Sequence, residues 1–124
     1  MALRVLRLGT PRAKGEGPRL GTVRRPPRGV KKEDYAKRNF YDVWVPELSP
    51  SPATIKLAGK DWGRFSKAYE REMAKPEAAR LLEILARLSH DASFSVGCYC
   101  EDESRCHRSI LRKLLLEHGA LVDR

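Results

Sequence analysis

The chain has 124 residues, 41% of them hydrophobic and 33% charged, with a formal net charge of +9. That length fits a single domain, residues 1–124, around one core, and no run is long and apolar enough to span a bilayer. The start, Met1-Ala2-Leu3-Arg4, has no apolar block ending in a small-residue cleavage site, so the expected compartment is the cytoplasm, with reduced thiols.

The charge is unevenly placed. Residues 1–38 hold 12 Lys/Arg against Glu16, Glu33 and Asp34, whereas residues 39–124 hold 13 residues of each sign. A basic, loop-rich N-terminal part thus precedes a neutral part. The excess points to an anionic partner such as nucleic acid, nucleotide, phosphate or an acidic protein; a solubilising charge explains it equally well. The chain has no Gln, one Asn (Asn39), and 16 Arg against 9 Lys. Depletion of amides is a thermophile-like trait, and a GC-rich genome would also favour Arg.

Leu3 to Leu8 has the aliphatic character of a short strand that Gly9-Thr10-Pro11 ends. Residues 11–19 read as a Gly/Pro/basic loop, and Leu20 to Arg24 as a second strand. Arg25-Pro26-Pro27-Arg28-Gly29-Val30 must leave that strand, because two prolines cannot sit inside a paired one. Glu33 to Arg38 suits one or two helical turns, Phe40 to Val45 a third strand, and Pro46 to Pro52 a turn-rich connection. Asp61 can cap a helix whose Trp62, Phe65, Tyr69 and Met73 share one face as core. Pro76 suits the first turn of the next helix, with Leu81, Leu82, Leu85 and Leu88 as its apolar stripe. A strand over 93–98 follows. The last helix starts near Cys106, buries Ile110, Leu111, Leu114 and Leu115, and stops at Gly119. Helical connections between strands predict an α/β layered domain, with a small mixed or partly parallel sheet flanked by helices.

All three cysteines fall in Cys98-Tyr99-Cys100-Glu101-Asp102-Glu103-Ser104-Arg105-Cys106-His107-Arg108, where a strand gives way to a helix. First-turn amides of such a helix attract anions, and Arg105, His107 and Arg108 add charge. A thiol at the N-cap, Cys106, is where a pKa falls. Read from Cys98 or Cys100, the phosphatase-type Cys-x5-Arg spacing is absent, since six positions on lie Ser104 and Cys106; a looser thiolate-plus-Arg site stays open. Cys98, Cys100, Cys106 and His107 are four candidate ligands of types suited to zinc, at a spacing that fits poorly. Cys100 and Cys106 could form a disulfide if their Cα atoms come within about 7 Å. Cys98 reads best as a small buried hydrophobe. Glu101, Asp102 and Glu103 form either a solvated acidic loop or the source of a carboxylate that orients His107. Whether the chain is an enzyme, and with what cofactor, stays open. If it is one, Cys106 is the candidate nucleophile and His107 the acid/base.

The second constellation is Arg24-Arg25-Pro26-Pro27-Arg28-Gly29-Val30. Its prolines stiffen a backbone from which Arg24, Arg25 and Arg28 can reach phosphate or carboxylate. An exposed basic turn is the plain alternative. With Cys100, Arg105 and Arg108 these arginines form the expected anion site, provided both segments meet at one sheet edge. A non-catalytic nucleic-acid-binding module using the basic third is the competing reading. No helix-turn-helix, zinc-finger or RNA-recognition signature supports it, and the few aromatics read as core.

Together these segments resemble the domain of unknown function 488 family, closest to its YeaO-like branch, over about residues 19–118. The landmarks are the Arg-Pro segment just quoted, Trp44-Val45-Pro46-Glu47-Leu48-Ser49-Pro50-Ser51, the Phe65/Tyr69 spacing, and Cys100 with Cys106-His107-Arg108. The resemblance implies a compact α/β domain whose Cys-His-Arg segment starts the last helix, and no settled activity. Val23 stands where that branch usually has Asp, and the branch commonly lacks the Cys-His-Arg triplet, so this chain is similar to both branches at once.

Overall fold

The computed structural model describes residues 2–100 and 103–123. Strands β1 (Leu3–Arg7), β2 (Arg19–Gly21), β3 (Val43–Trp44), β4 (Phe94–Cys98) and β5 (Val122–Asp123) form one sheet in the order β3-β2-β4-β1-β5. Every pairing is parallel, with Val5 opposite Val96, and Leu20 opposite Val96 on the other side. Central β4 is buried throughout, as a covered parallel strand should be. A Cβ on Gly97 would lie 2.6 Å from the Leu6 carbonyl oxygen, and one on Gly21 would lie 2.4 Å from the Tyr41 ring. Both glycines are therefore required by close approach.

Four helices follow from local signals: α1 (Pro52–Ile55), α2 (Trp62–Met73), α3 (Pro76–Leu88) and α4 (His107–Glu117). Asp61 accepts from the Arg64 amide at 3.1 Å and so starts α2. Pro76 sits in the first turn of α3. Gly119, at φ +90°, closes α4: its amide and that of Ala120 bond the carbonyls of Leu116 and Leu115. Phe65, Tyr69 and Met73 of α2, Leu82 and Leu85 of α3, and Ile110, Leu111 and Leu115 of α4 share one core with Leu3, Val5, Phe94 and Val96. Each such side chain contributes about 1.5–3 kcal/mol by leaving water.

Three expectations need correcting. Leu88 is 47% exposed, and Leu81 and Leu114 are half-buried. The contact face of α3 is carried by Ala78, Leu82, Leu85 and Ala86, and Leu88 falls to its side. The strand expected over Phe40 to Val45 shrinks to Val43–Trp44, both exposed at the sheet edge. Tyr41 instead packs over Gly21, and Asp42 accepts from the Arg19 amide at 2.7 Å and from Arg12 at 3.0 Å. Strand β5 was not expected: two residues carry little pattern.

Residues 8–18 link β1 to β2 across β4 without the usual crossover helix. Arg19, 1% exposed, takes over the organising role. It donates to both oxygens of Glu16 (2.9 and 3.1 Å) and to the carbonyls of Asn39 (2.6 Å) and Pro11 (3.1 Å). Burial alone would raise the Glu16 pKa; the Arg19 hydrogen bond and charge overcome it, and the carboxyl lies below its ordinary value.

Candidate functional site

In a parallel sheet, ligands gather beyond the carboxyl ends of the strands. Here β2 and β4 are neighbours, so the chain leaving Gly21 and the chain leaving Cys98 emerge side by side. Between them opens a cleft of about 460 Å³, within the usual range for small-ligand sites. The structure brings Arg24, Arg25, Arg28 and Arg105 to this cleft together with Cys100, Cys106 and His107. The two constellations therefore meet at one rim. Val23, Pro50, Ile55 and Phe65 supply an apolar wall.

Arg108 is the exception. Its guanidinium is buried, and Nη2 donates to the Cys100 carbonyl at 2.6 Å. Its Nε finds no hydrogen-bond partner among the described residues. Arg108 thus supports the cleft from behind.

The three sulfurs all lie within 4.8 Å of one another. Cys98 and Cys106 are 1% and 2% exposed with their sulfurs 2.7 Å apart, while Cys100 is exposed. The expectation that the N-cap position lowers the Cys106 thiol does not hold. Its hydrogen bond to Cys100 and its burial push it up, and the Cys98 thiol is raised in the same way. Cys100 receives the benefit: hydrogen bonds from Cys106 and Cys98 pull its pKa down, against burial. The cation that assists it at pH 7 is Arg108, because His107 is neutral there.

Burial lowers the pKa of His107 to about 4, although a backbone hydrogen bond opposes the shift. Nε2 donates to the Thr22 carbonyl at 2.7 Å, which leaves Nδ1 as an acceptor 3.7 Å from Cys106 Sγ. The orienting partner expected from the acidic loop is thus a backbone carbonyl. Glu103 pairs with Arg112 at 2.7 and 2.9 Å, and Glu101 and Asp102 lie outside the described residues.

His107 turns Nδ1 toward Cys106 at 3.7 Å, but the ligand atoms that lie within 4.8 Å of one another are those of the three cysteines. Around zinc, sulfurs at about 2.3 Å from the ion sit roughly 3.8 Å from each other, well beyond the Cys98–Cys106 separation of 2.7 Å. The thiols could converge on a soft ion only by moving apart.

The arginine loop is held from three sides. The Thr22, Val23 and Arg25 carbonyls accept from His107 Nε2 (2.7 Å), Trp44 Nε1 (2.7 Å) and Tyr99 Oη (3.0 Å). Arg24 donates to the Pro50 and Ser49 carbonyls, both at 3.2 Å. Gly29 takes φ +74° to turn the loop. None of Arg24, Arg25, Arg28 and Arg105 forms a salt bridge among the described residues. Sequence reasoning missed Thr22, Trp44 and Tyr99 as supports of the site. The signal was present, since all three sit beside the motif residues, but strand propensity absorbed it.

The family model DUF488-N3a, described as the active DUF488-N3 subclade, matches residues 3–119. No curated protein and no solved structure matches the chain.

Proposed function

The chain belongs to the DUF488-N3a family, and on that premise we propose that it binds a small phosphate-bearing anion in the rim cleft and presents the Cys100 thiolate to it. One observation carries this reading: Arg24, Arg25, Arg28 and Arg105 converge on one cleft from two distant segments, with no carboxylate partner among the described residues. Uncompensated guanidinium groups at a concave, partly apolar site suit an anion with several acceptor oxygens. The description of the subclade as active is in keeping with a chemical role. Cys100, exposed and lowered in pKa, takes the place first assigned to Cys106 as the reacting group. His107 serves better as a fixed neutral support than as an acid.

The nucleic-acid reading has less support. Three cations of the basic third are spent within the fold, as Arg4–Asp123, Arg12–Asp42 and Arg19–Glu16.

The test is alkylation of Cys100 by iodoacetamide. The rate should titrate well below the ordinary thiol value of about 8.5. Millimolar inorganic phosphate should slow it, and Arg24→Ala with Arg28→Ala should abolish that protection. Alkylation that titrates at the ordinary value, or that ignores phosphate, overturns the reading. Protection by an oligonucleotide alone, lost steeply with salt, would transfer the cleft to the nucleic-acid reading.

A further inference from the structure

We propose that Cys98, Cys100 and Cys106 form a thiol relay, in which Cys100 is oxidised by a hydroperoxide and the oxidation passes through Cys106 to a buried Cys98–Cys106 disulfide. The proposal rests on Cys100 as the reacting thiol of the cleft, not on which anion the arginines bind.

Geometry is its main support. Three thiols meet within 4.8 Å, far more than packing requires, and they differ sharply in access. Cys100 faces solvent, while Cys98 and Cys106 are buried with their sulfurs 2.7 Å apart. A lone buried cysteine is filler; a buried pair in contact with each other and with an exposed third thiol is a path. Cys106 is the natural first partner of Cys100, because it comes from a different segment. Cys98 and Cys100 lie two residues apart on the same segment, so a bond between them would close only a very small ring.

The steps balance. The Cys100 thiolate attacks a peroxide oxygen; the O–O bond breaks, and Cys100 sulfenic acid and hydroxide result. Cys106 then attacks the Cys100 sulfur. The S–O bond breaks, the hydroxyl leaves as water with the Cys106 proton, and a Cys100–Cys106 disulfide forms. Nδ1 of His107, 3.7 Å from Cys106 Sγ, is placed to accept a hydrogen bond from that thiol and orient it. Finally Cys98 attacks Cys106 and Cys100 departs as thiolate, the Cys98 proton neutralising the hydroxide of the first step. Two thiols and one hydroperoxide have become one disulfide and two waters, or water and an alcohol for an organic hydroperoxide. The last exchange runs in this direction because the lowest-pKa thiol is the best leaving group, and that is Cys100. Two equivalents of a small thiol reverse the sequence: Cys100 attacks Cys106 and releases Cys98, and the small thiols then reduce the Cys100–Cys106 disulfide, leaving as their own disulfide.

The experiment treats the reduced protein with one molar equivalent of hydrogen peroxide, alkylates it and digests it with trypsin. Cleavage after Arg87, Arg105 and Arg108 separates Cys106 from the peptide carrying Cys98 and Cys100. The expected product links Cys106 to Cys98, with Cys100 alkylated, so that free thiols fall from three per chain to one. Cys98→Ser should halt at the Cys100–Cys106 link. Cys106→Ser should leave a sulfenic acid on Cys100 that dimedone traps. Three alkylated thiols after peroxide overturn the relay in the wild-type protein itself, whatever the variants do. So does an intermolecular disulfide, or stoichiometric release of zinc on oxidation. Phosphate protection of reduced Cys100 is scored separately, so failure of the anion site and failure of the relay are distinguishable.

Discussion

Two ends of β2 hold arginine in opposite ways. At the start of the strand, Arg19 is sealed from water and matched by Glu16 and two carbonyls. Just past its end, Arg24, Arg25 and Arg28 face a cleft without a carboxylate partner among the described residues. The same side chain is a structural fastener where its charge is cancelled inside the fold, and on the proposed reading a docking group where it is not. Sequence cannot separate the two, because charge counts treat Arg19 and Arg24 alike.

The most severe way to break this contrast is Glu16→Gln. It strands a buried guanidinium, and the expected loss is about 3–5 kcal/mol of unfolding free energy, read by urea titration. A loss comparable to that of a surface variant would show that Arg19 is not the fastener described.

Acid tests the rim next. The unfolded imidazole of His107 binds its proton near 6.5, whereas the folded one waits until about pH 4. Between those values the unfolded chain holds more protons, so stability should fall as pH drops from about 6.5 to about 4. The fall should approach roughly 3 kcal/mol and then level off for this group. Glu16, whose folded pKa is depressed, adds a further loss below its ordinary value of 4.5. A flat urea midpoint across the upper window would mean that His107 is not held neutral. Trp44→Phe removes the donor to the Val23 carbonyl and should cost about 1 kcal/mol, with weaker phosphate protection of Cys100 as the accompanying sign. Arg28→Ala closes the series: stability should stay within about 0.5 kcal/mol, while phosphate protection drops. A large stability loss there would place Arg28 with Arg19 as a fastener.

Much of the frame was legible because its signals are local. Asp61, Pro76 and Gly119 mark helix ends by their own chemistry, and Leu3 to Leu8 and Phe94 to Cys98 announce strands by composition. What escaped depends on distant partners. The shortening of the third strand follows from Tyr41 packing over Gly21. The Arg19–Glu16 pair follows from burial that a basic loop does not advertise. At the site, both segments were legible as motifs that follow strands, but their meeting was only a condition until the pairing of β2 with β4 supplied it. The difference in exposure between Cys106 and Cys100, on which the proposed choice of thiol rests, was not legible. It turns on which thiol packing leaves in water, and helix N-cap reasoning is blind to that.

The arginine loop carries two prolines and is moored through the carbonyls of Thr22, Val23 and Arg25. Such a stretch has little configurational freedom left to surrender. A guest at this rim would meet charges already standing in place, and its affinity would be spared most of the ordering penalty that flexible basic loops incur. The empty and filled molecules should overlay within about 1 Å along this backbone, as in complexes whose partners arrive preformed.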